Sequence, residues 1–148
     1  MTGKEYADII DGFNVETEPK YQPTANATYC NIFVLDVADA CGTPLPNEGC
    51  KKMREKLAGN KFPKWWSVTY QQAQSRANDG VPSIAITIDH VVMVRPNDGT
   101  VPTDVGKVRI AQAGKHCYND TTLSMAWKKE ERSGIRFYSW YEEGQPDY

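Results

Sequence analysis

An α+β fold in one domain follows from three features of the 148-residue sequence. Apolar residues recur at helical spacing through the first half. They alternate at the two-residue period of strands through the second. No repeat and no low-complexity linker separates the halves, so helices come first and an antiparallel sheet follows. Residues 1–148 therefore read as a single domain, long enough to bury a sizeable core.

The elements can be justified in order. Residues 3–13 place Tyr6, Ile9, Ile10 and Phe13 on one side of a short amphipathic helix. Residues 14–28 are polar and turn-rich. Cys30, Phe33, Val34, Val37, Ala38 and Cys41 then mark one face of a buried helix. Gly42 closes it, and Pro44 and Pro46 prevent its continuation. Residues 47–58 predict a further helix, stopped by Gly59-Asn60. Trp65-Trp66 opens the next element. Thr69-x-x-Gln72 is a capping-box signature for a helix through Asn78, ending at Gly80. Ser83–Thr87 and His90–Val94 are β-rich, and Asn97-Asp98-Gly99 is a turn. Val108–Gln112 alternates as a strand, Thr121–Trp127 predicts a helical turn, and Ile135–Tyr141 a last strand.

Composition narrows the function classes. A net charge of −2 gives no general attraction to nucleic acid. No apolar run approaches the length of a membrane span, so membrane insertion is not expected. Met1-Thr2-Gly3-Lys4-Glu5 leads into a polar helix and not into a signal peptide, which predicts synthesis in a cytoplasm. The basic stretch 51–64 reads as the solvated side of a helix. No cysteine pair has the C-x-x-C spacing of a zinc site, and no metal or cofactor is expected. Cys41 and Cys50 flank a Pro- and Gly-containing loop. They are either a disulfide suited to an oxidising compartment or two separate buried thiols.

The chemistry centres on Cys30. A cysteine in the first turn of a helix faces unpaired backbone N–H groups and the positive end of the dipole, and both favour the thiolate. The same N–H groups can hold an oxyanion. The ordinary alternative is a small buried core residue. A thiol nucleophile needs a base, and the sequence has only His90 and His116. His90 opens an apolar strand that would fix its ring, whereas His116 lies in a polar loop. Gln112, on a strand that could lie beside that of His90, is the candidate to orient the imidazole. Asp89 is adjacent to His90 but would face the other side of a regular strand unless a bulge turns it.

Together these residues resemble the NlpC-type peptidoglycan endopeptidases, a papain-like family of cysteine hydrolases. Tyr29-Cys30-Asn31-Ile32-Phe33-Val34 through Gly42-Thr43-Pro44-Leu45-Pro46 is similar to the family's nucleophile helix, without its Ser-Gly after the cysteine. Asp89-His90-Val91-Val92-Met93-Val94 is similar to its histidine motif, with Asp89 where the family usually has Gly. Ile110-Ala111-Gln112-Ala113-Gly114 falls at its third position. The resemblance spans about residues 20–141.

It implies a papain-like domain with N-terminal helices packed on an antiparallel sheet. It also implies a cysteine amidase or endopeptidase that cleaves amide bonds in peptidoglycan stem peptides. Cys30, His90 and Gln112 would be catalytic. Tyr21 or Tyr29 would replace the family's tyrosine near the nucleophile, and Asp89 would contact substrate. Peptidoglycan is the expected partner of a monomer, with room for an immunity protein. A small member without a signal peptide is similar to type VI secretion amidase effectors, which are toxins acting in the periplasm of a target bacterium, and to phage endolysins. Acyl transfer and non-catalytic binding of cell-wall fragments are the alternative readings.

Overall fold

The computed structural model describes residues 1–144; residues 145–148, the end of the expected domain, lie outside the described residues. Helix α1 spans Gly3–Gly12 and starts with a reciprocal capping box between Thr2 and Glu5. Helix α2 spans Cys30–Ala40, and Gly42 takes the left-handed conformation (φ 70°) that ends it. Helix α3 is shorter than the sequence predicts. It begins only at Cys50, after the extended Gly49, and ends at Leu57. Strand β1 (Trp65–Val68) and helix α4 (Tyr70–Asn78) follow, with Thr69 and Gln72 forming the predicted capping box.

The second half contributes β2 (Ser83–Ile86), β3 (Val91–Val94), β4 (Arg109–Gln112), β5 (Tyr118–Thr122) and β6 (Arg136–Trp140). They form one antiparallel sheet of order β1-β6-β2-β3-β4-β5. The fold is thus α+β, with helices packed against a six-stranded sheet. Strand β5 differs from the sequence reading, which expects a helical turn over Thr121–Trp127. Thr121 and Thr122 belong to the strand, and a 3-10 turn covers only Leu123–Met125. The polar residues of β5 suit an edge, where tertiary bonds hold them. Arg109 pairs with Asp120, and Arg95 Nη1 donates to the Asn119 carbonyl at 2.6 Å.

Every residue of the central strands β2 and β3 is buried. Helix α2 packs against β3, α4 against β2 and β6, and α1 against both helices. Phe33, Val34, Val37 and Ala38 are the buried side of α2, as its spacing dictates. Tyr6 ties α1 to the sheet by donating its buried hydroxyl to the Val94 carbonyl at 2.6 Å. At the other end, Trp65 and Trp140 pair across β1 and β6 with rings edge to face, 5.9 Å apart. Helix α2 thereby lies against β3, which His90 precedes, and against β4, which carries Gln112. Among the described residues, no helix is long and apolar enough to cross a membrane.

Candidate active site

Cys30 is the first residue of α2 and is buried at 5% exposure. Tyr29 precedes it as the N-cap, and the Tyr29 side chain makes no capping bond. The first N–H groups of α2 have no partner within the helix and remain available as donors at its start. The Val91 backbone N–H and the His90 side chain are close enough to act on the Cys30 sulfur, and both favour its charged form.

His90 does not lie on a strand, as the sequence predicts, but in the turn that feeds β3 one residue later. The turn is fixed by Thr87. Its N–H donates to the His90 carbonyl at 2.8 Å, and its Oγ1 accepts the His90 N–H at 3.2 Å. The Trp127 indole donates to the same Oγ1 at 3.3 Å and stacks its ring edge to face on the imidazole, 5.3 Å away. Gly114 lies so close that an added Cβ would meet His90 Cε1 at 3.2 Å.

Gln112 ends β4. Its Nε2 donates to the His116 carbonyl at 2.8 Å, which fixes the amide orientation and turns Oε1 toward the ring. His90 Nε2 lies 2.8 Å from that Oε1. An amide oxygen only accepts, so His90 carries its proton on Nε2 in this bond. Nδ1 is left for the thiol.

The second sulfur was not assigned to the site from sequence. Cys50 is the first residue of α3, and its Sγ lies 3.3 Å from Cys30 Sγ. Among the described residues all four cysteines are free. The hydrogen bond from Cys50 is the largest influence that lowers the Cys30 thiol well below its ordinary range. Burial opposes it, and His90 and the Val91 N–H add to it. The Cys50 thiol is displaced strongly upward by the same bond, by burial and by the Cys30 charge. Burial alone would lower His90. Its hydrogen bonds with Cys30 and Gln112, and the thiolate charge, outweigh burial and raise it. The directions of both shifts favour a Cys30 thiolate beside a His90 imidazolium.

Of the two readings of Cys41 and Cys50, the structure has separate thiols and not the disulfide. Cys41 closes α2 at the end opposite to Cys30. Eleven helical residues separate the two ends by roughly 16 Å. Cys50 sits at the Cys30 end, so it is far beyond disulfide reach of Cys41. Burial pushes the Cys41 thiol up to about 11.

The expectation for Tyr21 is also corrected. Tyr21 is buried, packs edge to face on Phe33, and donates its hydroxyl to Asp36 Oδ2 at 2.5 Å. Asp36 lies six residues along α2, about 9 Å from its start, so the Tyr21 hydroxyl is bonded away from Cys30. Tyr29, the residue before Cys30, is half-buried. Asp89 is exposed and borders two cavities that flank His90. One of about 460 Å³ is lined by Arg54, Ile88, Trp127 and Glu131 among others. The other, of about 300 Å³, is lined by Thr28, Gln112, Lys115, His116 and Met125 among others. His116 itself is exposed, and its backbone carbonyl accepts the Gln112 amide.

Thr87, Trp127, Gly114 and Cys50 are the site residues that the sequence reading missed. One signal was present for Cys50: Gly49-Cys50 repeats the arrangement of a cysteine at the start of a helix. No family model matches the chain, and no curated protein matches it.

Proposed function

We propose that the chain is a cysteine amidase or endopeptidase of the papain-like, NlpC type that acts on peptidoglycan stem peptides. The observation that carries this reading is the line of groups from Cys30 through His90 to Gln112, with the imidazole fixed by the 2.8 Å bond to Gln112 Oε1. The type of fold and the substrate rest on the sequence resemblance. His90 borders both cavities, which gives a substrate room beside the base.

In this reading the Cys30 thiolate attacks the amide carbonyl. The backbone N–H of Cys30 and a neighbouring donor at the start of α2 stabilise the oxyanion. The His90 imidazolium gives its Nδ1 proton to the leaving amine, and a thioester forms on Cys30. Neutral His90 then takes a proton from water, and the hydroxide releases the acid. Gln112 keeps Nε2–H occupied throughout, so the ring neither rotates nor changes tautomer. Action in the target periplasm as an antibacterial effector is the biological setting we propose.

Hydroxylamine tests the thioester. Defined muropeptides incubated with protein and hydroxylamine should give a hydroxamate beside the free acid, and neither product should form with Cys30→Ala. Free acid without hydroxamate, or no cleavage of any muropeptide, would overturn the proposal.

A further inference from the structure

Two helices begin at the same point in this fold, and each begins with a cysteine. Cys30 opens α2 and Cys50 opens α3, and the sulfurs are 3.3 Å apart. A disulfide has an S–S distance of ~2.05 Å, so bonding needs a closure of roughly 1.3 Å. Asn31 Nδ2 reaches the Glu48 carbonyl at 3.4 Å, which ties the start of α2 to the segment leading into α3. The other two thiols are elsewhere. Cys41 is at the far end of α2, and Cys117 Sγ donates to the Tyr21 carbonyl at 3.3 Å.

The proposed hydrolysis uses Cys30 alone and gives Cys50 no covalent step. We propose that Cys30 and Cys50 are a peroxide-responsive dithiol, in which Cys50 resolves oxidised Cys30 into a reversible disulfide that withdraws the nucleophile. Cys30 supplies the reactive sulfur: it opens α2 3.3 Å from Cys50 Sγ, and Cys50, His90 and the Val91 N–H all favour its thiolate. Cys50 remains a thiol until Cys30 loses its charge.

The oxidant is a hydroperoxide, here hydrogen peroxide. The Cys30 thiolate attacks one peroxide oxygen and the O–O bond breaks. Cys30 becomes a sulfenic acid, and the departing hydroxide takes a proton to become water. Cys50 sulfur then attacks the sulfenic sulfur. The S–O bond breaks, and the hydroxyl leaves with the Cys50 proton as a second water. In sum, two thiols and one hydrogen peroxide give one disulfide and two waters. The sulfur pair loses two electrons and the peroxide oxygens gain them. A dithiol such as dithiothreitol reverses the step by exchange. The disulfide also keeps Cys30 from the irreversible sulfinic and sulfonic acids.

The inference rests on the proposed function only in its consequence, the loss of hydrolysis. The test therefore reads thiols directly. The full chain is treated with hydrogen peroxide, quenched with iodoacetamide and mapped as unreduced peptides. Wild type should yield a Cys30–Cys50 linked peptide and lose alkylation at Cys30, and dithiothreitol should restore it. Cys50→Ser, with its fold checked by thermal melting, should give no linked peptide. Its Cys30 should pass to sulfinic acid that dithiothreitol does not recover. Wild-type Cys30 that remains free, that reaches sulfinic acid while Cys50 stays a thiol, or that links to Cys41 or Cys117 would overturn the proposal. The linked peptide is read whether or not peptidoglycan is cleaved.

Discussion

Replacing Gln112 with alanine removes the acceptor of the His90 Nε2 proton while leaving nucleophile and base in place. A hydrogen bond to a charged group contributes about 1.5–3 kcal/mol. At ~1.36 kcal/mol per factor of ten, its complete loss would slow the reaction by roughly 10- to 150-fold. The 300 Å³ cavity that Gln112 lines admits water to the freed Nε2–H, which recovers part of the bond. The expected loss is therefore at the lower end, about 10- to 30-fold in kcat/KM. Gln112 is also one of the groups that raise His90, so its removal lowers the imidazolium population and with it the thiolate. Two assays read this: muropeptide turnover, and the rate of Cys30 alkylation by iodoacetamide at neutral pH. Both should fall together. A variant with unchanged alkylation and turnover would refute the orienting role and point to Asp89 or another group. A loss as deep as that of His90→Ala would also refute it, because a positioning residue acts through a base that is still present.

Further outcomes follow from the same geometry. His90→Ala should cost about 10²- to 10⁴-fold in turnover, while His116→Ala should be mild because its backbone carbonyl, which accepts the Gln112 amide, is retained. The lowered Cys30 and raised His90 both favour the thiolate–imidazolium pair. Alkylation of Cys30 should therefore titrate below the ~8.5 of a free thiol, and upward from the wild-type midpoint in His90→Ala; an unchanged midpoint would separate the two residues. Gly114→Ala presses a methyl to 3.2 Å from His90 Cε1 and should lower turnover by about 3- to 10-fold with little effect on melting. Tyr21→Phe should leave turnover unchanged and cost about 1–2 kcal/mol in denaturant unfolding, since its hydroxyl is bonded to Asp36, away from Cys30.

The helices and central strands were legible because their signals are local. The 3.6-residue spacing from Cys30 to Cys41 depends on α2 alone, and the Thr69–Gln72 capping box is complete within four residues. The sequence also drew attention to Cys30, His90 and Gln112; the fold bonds His90 to Gln112 and brings it close enough to Cys30 to shift the thiol. What it hid depends on partners distant in the chain. Strand β5 is polar, and its order comes from Arg95, Arg109, Asp11 and Glu16. The Cys30–Cys50 approach depends on where α3 starts relative to α2, which no spacing of cysteines reveals. Sequence proximity favoured Cys41 with Cys50, yet a whole helix length keeps them apart. Tyr21 was adjacent to the nucleophile only by frame; its ring fills the core against Phe33. Thr87 and Trp127 hold His90 from a turn and from the segment after β5, and neither belongs to a periodic pattern.

The most direct test of the central claim is digestion of purified peptidoglycan sacculi by the wild-type protein and by Cys30→Ala, with the released fragments identified by mass spectrometry. Wild type should release fragments that have gained water at an amide bond of the stem peptide, leaving the glycan strands intact, and Cys30→Ala should release none. Sacculi left uncut by the wild-type protein, scission of the glycan, or amide cleavage that persists in Cys30→Ala would contradict a Cys30-dependent peptidoglycan amidase.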